Sequence, residues 1–290
     1  MTSPDAVLRT ATSATRQGAL DQADRLAHEA LGGFRLRVDD DGRMRALNLL
    51  GAIAFERGDT ALAADRFAGA LEIARSLGDH LLGARALNNL ASVTHLRGEV
   101  DAALALYREA LLTYQRLGDR RGSAETWHNI ALVYREAGRL DEAEGAANHA
   151  VRHAGLTMES GLLGLVLTGR AEVALARGDA ALSAEALDRA DALAVEAGDR
   201  PGRAEILRIR ALLALHGGDG ERARQLAVAA RDEARALGAA LLQAESAGIL
   251  AKALRESGQE DEAGAMREEA RRLFESLGAT AHLARLTSAS

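Results

Sequence analysis

The chain has 290 residues, about a quarter of them charged and nearly half apolar; alanine makes up about a fifth, against two prolines and 3% aromatic residues, the composition of an almost wholly helical protein. A β-rich fold is excluded, and with no cysteine so are a disulfide framework, a thiolate nucleophile and a Cys-ligated metal, which suits a reducing cytoplasm. A formal charge of −6 opposes direct nucleic-acid binding, and the longest oily run, Leu162 to Leu167, is far too short to span a membrane.

Self-comparison fixes the elements. Glycines stand forty residues apart at Gly18, Gly58, Gly98, Gly138, Gly178, Gly218 and Gly258, and a second series at Gly78, Gly118, Gly198, Gly238 and Gly278 lapses near position 158. Seven small residues precede the first series by seven positions, from Ala11 and Gly51 to Ala251, and seven alanines follow it by twelve, from Ala30 to Ala270. Each glycine closes an apolar-periodic stretch, and an Asp or Glu often starts the next one, as in Gly58-Asp59 and Gly98-Glu99. The unit is therefore a helix hairpin, with small residues where its two helices approach.

In chain order the spacing predicts hairpins over about 4–38, 43–82, 83–122, 123–162, 163–202, 203–242 and 243–278, all one domain, and a capping helix over 279–287. In the first hairpin, Gly32-Gly33 and Asp39 to Gly42 bracket a polar stretch expected to end the second helix early and leave a mobile loop. Gly155 to Gly161 is expected to do the same after the fourth hairpin and to act as a hinge. Leu283 and Leu286 of the last helix should cover the exposed face of the array.

Trp127-x-x-Ile130-Ala131-x-x-Tyr134 followed by Ala143 resembles the tetratricopeptide repeat, and Leu47-x-x-Leu50-Gly51 with Ala63 and Phe67, and Leu87-x-x-Leu90-Ala91 with Ala103 and Tyr107, repeat the pattern. The period is forty rather than thirty-four and the closing proline is absent, so the second helix is longer. In this the chain resembles kinesin light chain repeats and the repeat regions of bacterial transcriptional regulators and signalling ATPases. The resemblance implies an all-α, right-handed solenoid of seven hairpins, with the first helix of each lining the concave groove, where a protein or peptide partner binds. Starting by residue 4, the repeats leave no room for a DNA-binding domain, so a regulatory action would pass through another polypeptide.

On that concave face, Asn48, Asn88 and His128 stand three residues before successive small positions, joined by Asn89 and Asn129, with Ser92 and His95, Arg85 and Arg135 a step along the same face. Side-chain amides complement a peptide backbone, so this ladder is a candidate peptide site; its alternative role is to bond the next repeat and set the stacking angle. The later repeats offer Leu165, Leu175, Leu212 and Leu215 as apolar anchors, surrounded by Glu172, Glu205, Arg208, Glu245, Lys252 and Arg255. Trp127 reads as core. His149 and His153 have metal-ligand spacing but no carboxylate at a suitable step, and His95, His128 and Glu136 form only a weak acid–base candidate. No cofactor, metal or catalytic residue is assigned. The reading is a non-enzymatic interaction module that binds a peptide or helical segment, a bacterial regulatory adaptor or sensor, with a self-associating scaffold as its rival.

Overall fold

The computed structural model describes residues 2–288. It consists of fifteen α-helices paired into seven hairpins: α1 (Pro4–Arg16) with α2 (Leu20–Leu36), α3 (Asp40–Glu56) with α4 (Thr60–Leu77), α5 (His80–Leu96) with α6 (Val100–Leu117), and α7 (Arg120–Glu136) with α8 (Leu140–Ala154). These are followed by α9 (Ser160–Ala176) with α10 (Ala180–Ala197), α11 (Arg200–His216) with α12 (Gly220–Leu237), α13 (Ala240–Glu256) with α14 (Glu260–Ser276), and the single α15 (Thr280–Ser288). Hairpins two to seven begin about three residues before the boundaries expected from the glycines, and four of them start on an aspartate cap: Asp39, Asp79, Asp119 and Asp199 accept from the amides of Gly42, Leu82, Gly122 and Gly202 at 2.8–2.9 Å. The small residues at 11, 51, 91, 131, 171, 211 and 251 are buried, and a Cβ on Gly51 would stand 2.6 Å from the Phe67 ring. Odd-numbered helices of successive hairpins touch one another, so they form the inner wall and the even-numbered helices the outer one.

The two irregular stretches are more regular than their composition suggests. The second helix is not ended early: α2 runs through Gly32-Gly33 to Leu36, because Gly33 lies where a Cβ would be 2.6 Å from Pro4. No long loop follows either. Asp39 caps α3 through the Gly42 amide at 2.8 Å, and Gly42 packs under Phe34. At the second break only residues 155–159 lie outside helices, and a single apolar cluster of Ala124, Ala150, Ala154, Leu162 and Val166 runs across it. The backbone also keeps its forty-residue rhythm where glycine is missing. Val38 (φ 54°) and Met158 (φ 59°) take the left-handed conformation that glycine supplies at 78, 118, 198, 238 and 278.

The array closes on itself after about five and a half hairpins. Leu237, at the end of α12, sits against Gly18, and Leu277 sits against Gly58, each pair 219 residues apart in the chain. Leu277 shares a buried cluster with Leu96, Phe274 and Ala244, into which Phe55, Leu283 and Leu286 pack. One step further, Thr280 Oγ1 donates to the Arg97 carbonyl at 2.6 Å. The turns of hairpins one to three thus rest on the far end of the chain, and α15, besides covering the last face, is inserted into the inner space.

Candidate functional site: a charged circuit across the lumen

Each inner helix from α5 onward carries an ionisable residue on the lumen side, near the C-terminal end in α5 and α7 and progressively nearer the N-terminal end through α9, α11 and α13, and these residues meet one another. Glu136 on α7 accepts from His95 Nε2 on α5 at 3.2 Å and from Arg285 Nη1 on α15 at 2.8 Å. Its neighbour Arg135 reaches Glu172 on α9 at 2.7 Å, and the same Glu172 oxygen accepts from Arg208 on α11 at 2.9 Å. Arg208 also bonds Glu205 on its own helix and lies 3.4 Å from Glu245 on α13, which accepts from His282 on α15 at 3.2 Å. From α15 the path returns through Arg285 to Glu136.

Burial alone would push these carboxyls toward the neutral form; the circuit decides which of them stay ionised. At Glu136 burial is outweighed by the His95 hydrogen bond and by the charges of His95, Arg135 and Arg285, which hold the carboxyl well below the ordinary range. At Glu245, Arg208 and His282 overcome burial and bring the pKa down to about 2. For Glu205 burial wins, and its pKa rises despite Arg208. Glu56, at the end of α3, is accessible in the lumen yet walled in by enough protein that burial raises its carboxyl with no cation to oppose it.

The circuit separates two connected cavities. One, of about 380 Å³, is lined by Glu56, Glu136, Glu172, Glu205 and Glu245 against Arg135 and Arg208, with Phe55, Leu96, Leu241 and Leu242 as apolar wall. The other, of about 370 Å³, lies toward α13 to α15 and adds Leu212, Ile249, Lys252, Phe274, Arg285 and Leu286. Carboxylates dominate the first, and in the second both signs are nearly balanced.

Residues 42–116 and 83–154 match the tetratricopeptide repeat family model, and the same hairpin geometry runs from α1 to α14. The chain folds as a solenoid of tetratricopeptide-like hairpins. No curated protein matches it significantly in sequence. Among solved structures it is similar to the Rap conjugation gene regulator of plasmid pLS20 in complex with the Phr* peptide (TM-score 0.76, 14% identity, 93% of this chain and 75% of that one). It is also similar to aspartyl phosphate phosphatase F from Bacillus subtilis (TM-score 0.71, 14% identity, 92% and 69%) and to a kinesin light chain-like repeat protein from Podospora anserina (TM-score 0.50, 15% identity, 68% and 99%). At these identities the likeness is one of fold.

Within this solenoid the residues singled out from the sequence divide into groups. Ser92, His95, Asn129 and Arg135 line the first cavity. Asn48, Arg85, Asn88 and Asn89 line a separate polar recess of about 440 Å³ with Tyr114, Asp119 and Glu125. The asparagines bond from repeat to repeat: Asn89 Nδ2 donates to Asn48 Oδ1 at 3.0 Å, and Asn88 Oδ1 accepts from Thr126 Oγ1 at 3.0 Å and from Asn129 Nδ2 at 3.5 Å. Asn88 is buried. His128 is buried too, with its ring against Gly169 of α9, and burial brings its pKa down to about 4. It is therefore withdrawn from the groove and from His95 and Glu136, so the three do not meet as an acid–base set.

The four leucines do not form one anchor. Leu212 lines the second cavity, Leu215 packs on the core beside it, Leu165 is exposed and Leu175 half-buried. His149 stacks on Trp127, ring centroids 4.6 Å apart, and Trp127 packs into the core as expected. Among the described residues no group of three potential ligands is placed to hold a metal. No helix among them is long and apolar enough to cross a membrane. Sequence reasoning missed His282 and Arg285. Their signal was the i, i+3 spacing on the polar face of a helix read only for its leucines.

Proposed function

We propose that this chain is an interaction module that holds a short peptide segment of a protein partner in its lumen, and that it serves as a bacterial regulatory adaptor or sensor. The observation that carries the reading is the convergence of α3, α5, α7, α9, α11, α13 and α15 on two connected cavities with apolar walls and fixed charges. Such a site suits a ligand with apolar side chains and both signs of charge, which a peptide offers. Support comes also from the fold neighbour solved with a bound peptide. The ionisable groups of the lumen engage one another in ion pairs, which favours a binding role over proton transfer. The Asn48 to Asn129 ladder contributes through its open members, Asn48 and Asn89, while Asn88 serves stacking.

Selection of a random peptide library on the immobilised full chain tests this. Glu56→Arg and Arg85→Glu, both at accessible positions, should each lower the affinity of the selected peptides about tenfold, the loss of one charge-assisted contact. Selected peptides that bind both variants as they bind the wild type would place recognition elsewhere.

A second reading, self-association, is favoured by one specific feature. Leu36, Val38, Leu77, Leu117, Leu156 and Met158 stand exposed at the connections between hairpins, along the rim opposite the closing contacts. Multi-angle light scattering of the wild type beside Met158→Asp separates this from a monomeric module.

A further inference from the structure

Four of the outer helices end on the same pair in the forty-residue register: Leu77-Gly78, Leu117-Gly118, Leu237-Gly238 and Leu277-Gly278. The four glycines share one left-handed conformation, φ 61° to 70°, so the four leucines are presented alike along one edge of the solenoid. Their surroundings differ. Leu237 and Leu277 are buried against Gly18 and Gly58, turns of the opposite edge five and a half hairpins earlier, and make the closing contact. Leu77 and Leu117 stand 48% and 51% exposed, and the free edge continues in Leu36, Val38, Leu156 and Met158.

The receiving half of this contact is also left over. A Cβ on Gly58 would stand 2.3 Å from Leu277 Cδ2, so it is the bare turn that seats the leucine, and Thr280 covers the next turn in register, at Gly98. The four turns that follow, at Gly138, Gly178, Gly218 and Gly258, keep the same left-handed backbone and are exposed, and a Cβ on any of them would meet nothing within 4 Å. The charges beside the two edges are of opposite sign. Among the described residues, Arg35, Arg37, Arg116 and Arg152 at the leucine edge make no ion pair, while Asp39, Asp79 and Asp119 there fold back as helix caps. Beside the open glycine turns the unpaired charges are Glu256, Glu260 and Asp261 against one arginine, Arg222.

We propose that a second copy of this chain stacks on the first by repeating the closing contact, with Leu77 and Leu117 of one copy seated on open glycine turns of hairpins four to seven of the next. The two surfaces are different patches of one molecule, so the contact is head-to-tail and each added copy offers a fresh leucine edge or glycine edge. Copies therefore continue the superhelix as an open stack. The proposal rests on the self-association reading, to which it supplies both surfaces, and leaves the peptide reading untouched.

Sedimentation velocity of the full chain over a range of concentrations tests it with two complementary variants. One carries Leu77→Asp and Leu117→Asp, each of which should weaken association about tenfold, the loss of half a leucine's burial. The other carries Gly178→Asn and Gly218→Asn, which puts a side chain on two seats while keeping a residue that tolerates the left-handed backbone. The wild type should grow in mass with concentration past two chains, and each variant alone should remain at the mass of one. Their equimolar mixture should reach two chains and stop, since each supplies the edge that the other lacks. A glycine-edge variant that associates like the wild type, a mixture that stays at one chain, or a wild type that levels at two chains overturns the stack and leaves self-association through another contact. A wild type at the mass of one chain throughout overturns both. If the asparagine variant loses helical circular dichroism, Glu260→Arg with Asp261→Arg, at exposed side chains of the same edge, replaces it and should weaken association likewise.

Discussion

Arg285 on the last helix holds Glu136, 149 residues earlier in the chain, with Nη1 to Oε2 at 2.8 Å. The contact joins the C-terminal cap to the fourth hairpin, so the inner space is bounded by the C-terminal helix as well as by its wall. Arg285→Ala leaves Glu136 with His95 and Arg135, so the fold should persist, and because Arg285 is itself partly exposed the loss should stay near 1 kcal/mol. The closing contacts of α15 should loosen more than the helices do. A distance measured between spin labels on α5 and α15 should broaden in the variant; an unchanged distribution would show that the apolar contacts of Leu277 and Leu283 close the ring unaided.

Val38 and Met158 supply a prediction about stability. Both hold the left-handed backbone that costs an L-residue about 1–2 kcal/mol, and both side chains are exposed, so little packing is lost on removing them. After the extra unfolded-state entropy of glycine, Val38→Gly and Met158→Gly should each stabilise the chain by about 0.5–1 kcal/mol, read by denaturant melts. Destabilisation would mean that the connections relax to another conformation in solution.

Acid should weaken the fold in two stages. His128 is neutral when buried, with a pKa near 4 against 6.5 in the unfolded chain. Above pH 6.5 it is neutral in both states; as the pH falls from 6.5 toward 4 the unfolded chain takes up the proton first, and about 3 kcal/mol is lost. Glu136 and Glu245 are depressed, so their contribution is present above about 4.5 and is lost as the pH falls below it. His128→Leu should flatten the first stage and leave the second. An unchanged slope between pH 6.5 and 4 in that variant would place the transition on other groups.

Asn88 and Asn89, adjacent in sequence, should separate in function. Asn88→Ala removes the acceptor for Thr126 and Asn129 at a buried site and should cost about 1–3 kcal/mol. Asn89→Ala loses one bond to Asn48 in an accessible recess and should leave the melting temperature within a few degrees while weakening a ligand that occupies that recess. Equal melting losses would assign both to stacking.

How far the sequence could be read follows from which interactions repeat. A helix hairpin recurring every forty residues leaves its glycines, caps and small residues in register, so the helices and the seven-hairpin array were legible. The closure was not: Leu237 on Gly18 and Leu277 on Gly58 depend on the accumulated rotation of five and a half hairpins, which no local pattern encodes. Gly33 and Gly42 misled because glycine serves close packing as readily as it serves a loop, and here Pro4 and Phe34 occupy the space of the missing Cβ atoms. Of the candidate site, Arg135 and His95 were visible as members of the concave face, Glu136 as a possible neighbour of His95, and Glu172, Glu205, Arg208 and Glu245 as the surroundings of the leucines. Their pairing into one circuit and the cations of α15 gain meaning only once the ring is closed.

The central claim is that the lumen closed by α15 is the recognition surface. Hydrogen–deuterium exchange of the full chain, with and without a peptide taken from the library selection, tests it most directly. Protection should appear in the C-terminal halves of α5, α7 and α9, in the N-terminal halves of α11 and α13 and in α15, where the charged circuit and its cavities lie, with the outer helices unaffected. Protection confined to the even-numbered helices or to the apolar rim around Leu117 and Met158 would contradict the account.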